Sequence, residues 1–301
     1  MQGIRQLKQI FRYINNHPLA GKHRLKAYGK FLQWQVGQFI SPGEKKIAFT
    51  DKTWLSVKKG MAGATGNIYT GLHEFSDMAF LLHLLRKDDL FADIGANIGS
   101  YTVLAAGQVG AKAICFEPLP ATFRQLEKNI SINHLERLVT AYNKGVGSTK
   151  TTLLFTSSYD TVNHVVAAAE NNVATNAVEV EVLPLDDVLK EAAVPLLVKI
   201  DVEGFETEVI KGMKRTLADQ NLKAIIIELN GSGGRYGYDE SLIHQTFMEQ
   251  GFQPYLYDAF KRVFTAVTGY GSHNTLYLRD MDFINERIQT AGKVVVFSEA
   301  F

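Results

Sequence analysis

The sequence predicts an α/β fold, a mostly parallel sheet covered by helices on both faces and preceded by a helical N-terminal extension. Short apolar runs alternate with helical segments from about residue 91 onward, the pattern of strands joined by crossover helices. The run Phe91-Ala-Asp-Ile-Gly-Ala-Asn-Ile-Gly-Ser100 reads as a strand, a glycine turn and the start of a helix. A chain of 301 residues, 46% hydrophobic and 21% charged, also has enough apolar material to bury roughly three quarters of its unfolded surface.

Ile4, Leu7, Phe11 and Ile14 recur at helical spacing, and residues 25–39 form a second helical stretch. Residues 1–43 hold no Asp or Glu, yet contain Arg5, Lys8, Arg12, Lys22, Arg24, Lys26 and Lys30. Such basic helices pack on their own domain or lie against an anionic membrane surface or a partner; packing is the expectation. Residues 47–57 alternate loosely around a polar break and predict a hairpin. Strands are expected near 90–94, 112–116, 138–142, 196–200, 224–229, 253–257 and 275–278. Two more extended stretches, 151–155 and 178–183, are joined by a polar loop over 156–176, long enough to expect a lid or binding loop. The division expected is an extension over 1–68, a main domain over 69–280 and a tail over 281–301.

The 32 basic residues balance 31 acidic ones, so no global field draws in nucleic acid. The single cysteine, Cys115, sits in an apolar strand and suits a reducing, cytoplasmic setting. No run approaches the ~18 apolar residues of a membrane span, and no signal-peptide core is present. A cytoplasmic protein is expected, peripheral at the inner membrane face if the basic helices bind there.

Gly95 and Gly99 permit a sharp turn at the carboxyl end of the first strand and leave its backbone open to a ligand. The next strand ends in Glu117-Pro118, placing an acid 18 residues beyond Gly99, where it can accept both hydroxyls of a ribose. Asn97 stands where a pyrophosphate-binding turn needs its middle glycine, and Asp93 would repel phosphate. A nucleoside carrying a cationic amino-acid group fits better than a dinucleotide.

With these residues in place, the chain resembles the FkbM-type methyltransferases over about residues 69–258. The resemblance rests on Asp-Ile-Gly-Ala-Asn-Ile-Gly99, Phe116-Glu-Pro118 and Leu185-Asp-Asp187. It rests above all on Lys199-Ile-Asp-Val-Glu-Gly-Phe-Glu206, with Tyr69-Thr-Gly-Leu-His-Glu74 as the lead-in segment. It implies a Rossmann-like, seven-stranded class I methyltransferase sheet with an antiparallel last strand, and S-adenosylmethionine as cofactor. It also implies a small-molecule or glycan acceptor, commonly a hydroxyl on a sugar, glycolipid or natural product. Carried over, Asp93, Gly95, Asn97 and Gly99 line the methionine part and Glu117 holds the ribose, with Pro118 and Asp201 in the same cofactor site. Asn143, Gly145 and Val146 face the adenine, and Tyr69 and Glu74 belong to the same site.

Methyl transfer to an alcohol requires placement of the nucleophile and a base. Asp201 and Glu203 stand at the fourth strand end as candidates; alternatively Glu203 caps the helix over 205–212 and pairs with Lys199. Asp201, Glu228 and Asn230 are oxygen ligands of the kind that hold Mg2+ or Ca2+, or Glu228 contacts substrate. His164, beside Asn163, and His73 and His273 are candidate histidine bases, whereas His83 lies in an apolar helix and reads as packed. Arg235 and Tyr257, with Asn163, Asn230 and His273, complete the expected acceptor side, and Gly231-Ser-Gly-Gly234 reads as a mobile loop. Two other functions use the same sheet. A nicotinamide-dependent oxidoreductase would tolerate Asp93→Ala, and a non-catalytic nucleoside-binding partner would tolerate loss of Asp201, Glu203 and His164.

Overall fold

The computed structural model describes residues 2–157, 163–167, 177–189, 193–271 and 273–301. Most of the 156–176 loop lies outside them. Helices α1 (Gln2–Asn16) and α2 (Arg24–Ile40) and a hairpin of β1 (Lys45–Ala48) and β2 (Trp54–Val57) precede α3 (Ala62–Thr70) and α4 (Phe75–Leu84). The main sheet then begins with β3 (Leu90–Ile94), β4 (Lys112–Phe116) and β5 (Val139–Tyr142), with α5 (Ser100–Val103) and α6 (Pro120–Ile132) as crossovers. After β6 (Gly145–Val146), β7 (Thr151–Thr156), β8 (Ala177–Leu183) and α7 (Leu185–Leu189), the sheet resumes with β9 (Leu197–Ile200). Helices α8 (Glu206–Lys211) and α9 (Lys214–Ala218) lead to β10 (Ala224–Glu228). The chain continues through α10 (Glu240–Glu249), β11 (Gln253–Asp258), β12 (Val263–Ala266), β13 (Asn274–Leu278) and α11 (Met281–Thr290).

Among the described residues the main sheet has eight strands in the order β12-β11-β13-β10-β9-β3-β4-β5. The five from β10 to β5 run parallel, and β13 is antiparallel to both β10 and β11. Seven strands thus form the Rossmann-like arrangement the sequence predicts. The eighth, β12, pairs with β11 at the open edge; its half-exposed Val-Phe-Thr-Ala carries no buried-strand pattern. The two extra strands stay out of this sheet; β8 pairs with both β7 and β6 in a separate three-stranded one.

Helices on both sides explain the continuous apolar strands. Phe91, Leu197, Ala224 and Ile226 face one core, while Ala92, Ile94, Val198, Ile200, Ile225 and Ile227 face the other. Cys115 is fully buried in the first. Ile14, Ala27, Phe31 and Trp34 of the N-terminal helices join the same cluster, so the extension packs on its own chain. His17 fixes the join: its Nε2 donates to the Leu72 carbonyl (2.8 Å) and its Nδ1 accepts the Leu19 and Ala20 amides. Burial pushes its pKa down to about 4, which keeps that tautomer neutral. His83 is buried, hydrogen-bonded to Tyr257 Oη at 2.6 Å. No described helix is long and apolar enough to cross a membrane.

Candidate functional site

The glycine turn leaves β3 in an unusual backbone path. Gly95, Asn97 and Gly99 all have positive φ, at 80°, 52° and 86°, and the Gly95 and Ala96 amides donate to the Phe116 carbonyl of β4. Asn97 tolerates this region because its Oδ1 accepts the Ile98 amide at 2.7 Å. The glycines serve packing more directly than the sequence implied. A Cβ at Gly95 would lie 1.8 Å from the Asp201 carbonyl oxygen, and one at Gly99 would lie 2.4 Å from Leu126 Cδ1. The missing side chains admit the neighbouring strand end and helix, rather than a ligand. Gly95→Ala is therefore expected to cost about 3 kcal/mol or more, through strain and displacement of Asp201. Calorimetric melting together with cofactor titration would show both losses; a wild-type melting temperature would contradict this account.

The turn opens onto a pocket of about 320 Å³. Six carboxylates line it, from Glu74, Asp93, Glu117, Asp201, Glu203 and Glu228, against the ammonium groups of Lys144 and Lys199. Asp93 is 1% exposed. Its Oδ2 accepts the Thr102 hydroxyl at 2.6 Å, while its buried Oδ1 has no hydrogen-bond partner among the described residues. Burial raises its pKa and the Lys199 charge opposes that rise. Glu117 accepts the Asn97 and Leu119 amides, both at 3.0 Å, and burial pushes its pKa up to about 7.

At the end of β9, buried Lys199 pairs with Asp201 at 2.8 Å and lies 4.9 Å from the centre of the Tyr101 ring. It does not pair with Glu203, as the sequence reading allowed. Nor does Glu203 cap the next helix. Glu206 takes the loop in hand, its Oε1 accepting the Val202 and Gly204 amides at 3.2 Å each. Glu203 is left with φ of 56°, a conformation costly for a non-glycine residue and one that clusters at functional sites. Burial, then the Asp201 and Glu228 charges, push its pKa up to about 8. Burial and Asp201 likewise raise Glu228 to about 7.

Oxygens of Asp201, Glu203 and Glu228 lie within 4.8 Å of one another, close enough to converge on one divalent cation. The expected third ligand, Asn230, is instead exposed beyond the strand end, its Oδ1 accepting the Ser232 amide. The loop after it is structured. Residues Ser232–Tyr236 form a 3-10 turn held by Glu240, which accepts the Gly231 and Gly233 amides.

The opposite wall comes from the N-terminal side. His73 lines the pocket; its Nδ1 meets the Tyr13 hydroxyl of α1 at 2.5 Å and its amide donates to Asn67 Oδ1 at 2.7 Å. Glu74 accepts the Tyr101 hydroxyl and the Asn274 amide group, each at 2.8 Å, and Asn274 also reaches Asp77. Asn67, Tyr101 and Asn274 were absent from the residues the sequence singled out.

Of the other expected residues, Pro118, Gly145, Val146 and Asn163 line the pocket. His164 is buried next to it, its backbone paired with Thr156, and Arg235 Nη1 donates to the Glu203 carbonyl at 3.0 Å. Four others point elsewhere. Tyr69 packs on Phe31 and accepts from Gln35, and Asn143 spans the Glu117 and Pro118 carbonyls from the surface. Tyr257 is in the core with His83, and His273 is exposed. Asp186 of the Leu-Asp-Asp motif is structural, accepting the Arg215 and Thr216 amides at the start of α9.

The model of the methyltransferase FkbM domain matches residues 93–254, which contain the turn, Glu117 and the β9 and β10 carboxylates. The chain belongs to the FkbM methyltransferase family. A hexuronic acid methyltransferase, AglP, of Haloferax volcanii is 29% identical over 153 residues, covering 50% of this chain and 59% of its own length. Methyltransferase 1 of Beauveria bassiana is 27% identical over 192 residues, covering 56% and 76%. The FkbM methyltransferase structure from Methylobacillus flagellatus superposes with a TM-score of 0.44 at 16% identity, over 72% of this chain and 52% of that one. The chain thus spans less than two thirds of the Haloferax protein. FkbM membership implies S-adenosylmethionine as methyl donor. The residues present fit that group: a buried oxygen of Asp93 has no hydrogen-bond partner among the described residues, and acidic side chains outnumber lysines six to two around the pocket.

Proposed function

We propose that this protein transfers the methyl group of S-adenosylmethionine to a hydroxyl of a small-molecule or glycan acceptor. The observation that carries the reading is the acidity of the pocket: six acidic side chains against two lysines around a glycine turn. A ligand bearing an ammonium and a sulfonium gains from that field, whereas a dinucleotide would set its pyrophosphate against it. The oxidoreductase reading is disfavoured on the same ground.

Asp93 Oδ1 receives the amino group and Glu117 the ribose hydroxyls. Phe116, Leu119, Val146 and Phe155, all buried around the pocket, give the adenine an apolar slot. When bound, the cofactor supplies an electrophilic methyl carbon. Glu203 receives the proton of the acceptor hydroxyl, since its raised pKa matches a base working near neutrality. Lys199 holds Asp201 in place, and His73, braced by Tyr13 and Asn67, lines the acceptor side. The name of the Haloferax relative makes a hexuronic acid the first acceptor to try.

Calorimetric titration with S-adenosylmethionine and its demethylated product is expected to show binding to both. Radiolabelled methyl transfer to hexuronic acids and other glycosides then identifies the acceptor. No binding at millimolar concentration would overturn the donor assignment, and a label on nitrogen or carboxylate would overturn the acceptor class.

A further inference from the structure

The outer face of the N-terminal helices is more apolar than packing on the domain requires. On α2, Leu25, Leu32, Val36, Phe39 and Ile40 fall within about a 100° arc, and Leu25 and Phe39 are each 88% exposed. The opposite arc, with Ala27, Phe31, Trp34 and Gln38, is the buried one, so the stripe points away from the core. On α1, Leu7 and Phe11 are also partly exposed, and Phe11 joins the two helices by edge contacts to Tyr28 and Phe31. Arg5, Lys8 and Arg12 flank Leu7 and Phe11, all exposed and, among the described residues, in no ion pair.

We propose that this face docks on an anionic phospholipid bilayer, with the stripe entering the headgroup layer and the α1 cations meeting lipid phosphates. Charge decides the occupant. A second copy of the chain would set Arg5, Lys8 and Arg12 against their own counterparts, whereas an anionic surface complements them. A wide apolar arc beside cations on adjoining helix turns is the pattern of a helix lying in the interface plane. Beside α2, Trp34, Ile47 and Ile68 line an apolar groove of about 380 Å³, with Lys30 and Lys45 among its walls. Ile68 belongs to α3, whose Gly63 and Asn67 face the methyltransferase pocket. The docked face therefore lies one helix away from the site.

Sedimentation of the full chain with extruded vesicles tests this. Binding is expected to phosphatidylglycerol mixed with phosphatidylcholine, and little to phosphatidylcholine alone. Leu25→Ser with Phe39→Ser is expected to weaken it at least about tenfold. Arg5→Gln, Lys8→Gln and Arg12→Gln together should weaken it roughly a hundredfold and flatten its salt dependence. These side chains are solvent-exposed, so melting temperature and S-adenosylmethionine affinity should stay at wild-type values. Those two readouts separate this proposal from the catalytic one. Failure to bind the anionic vesicles, equal binding to neutral ones, or a solution dimer dissolved by the Leu25 and Phe39 changes would each overturn it.

Discussion

Asp93→Asn is expected to weaken S-adenosylmethionine binding by about a hundredfold or more, close to 2.8 kcal/mol, while the protein keeps its fold. Asp93 is buried near the end of β3, with one oxygen satisfied by Thr102 and the other without a partner among the described residues. Leaving one member of a close charge pair unmatched costs about 2–5 kcal/mol in comparable sites. An asparagine keeps the shape and can still accept from Thr102, but it removes the charge and can turn an amide donor toward a cationic ligand. The effect on stability should be smaller and mixed in sign. Burial already disfavours the Asp93 charge, so neutralising it relieves a penalty, while Lys199 loses one of its compensating anions. Titration calorimetry beside melting measurements distinguishes this from a structural role, which would lower affinity and melting temperature together. Wild-type affinity in Asp93→Asn would remove Asp93 from the cofactor site.

The parts of this molecule legible in the sequence are those governed by local pattern. Strands buried on both faces become predominantly apolar runs, so 90–94, 112–116 and 197–200 stand out even with Asp93 and Lys199 inside them. Strand Val263–Ala266 does not, because an exposed edge strand needs no apolar face. At the site, the turn and Glu117 are legible because each sits at a strand end. What escaped depends on chain path. Glu206 holds the β9 loop only because Glu203 adopts positive φ and turns the chain back on itself. That same turn brings Glu203, rather than Asn230, beside Asp201 and Glu228. His73 gains its setting from Tyr13, 60 positions earlier, a contact created by packing α1 on the domain. Gly95 shows the converse: its identity was legible, but the Asp201 carbonyl that demands it was not.

Glu203→Gln should lower kcat/KM by about 10²–10⁴-fold, the usual contribution of a positioned base, and at the same time stabilise the protein at alkaline pH. In the wild type, kcat/KM should rise through the Glu203 pKa near 8, since only the carboxylate form accepts the hydroxyl proton. The glutamine variant should lack that inflection. The stability change has the opposite sign for the same physical reason. Burial and the Asp201 and Glu228 charges make the folded protein hold the Glu203 proton to about pH 8, whereas the unfolded chain releases it near the ordinary glutamate value of 4.5. Between the ordinary and the raised value the unfolded state binds fewer protons, so Glu203 costs stability progressively as pH rises. Below pH 4.5 the substitution should change little; above pH 8 its gain in melting temperature should be complete. The positive φ at position 203 remains, so the gain reports charge alone. A residue that merely shapes the loop would lose activity and stability together. A variant with wild-type rate and an intact inflection would assign the proton to another group in the pocket.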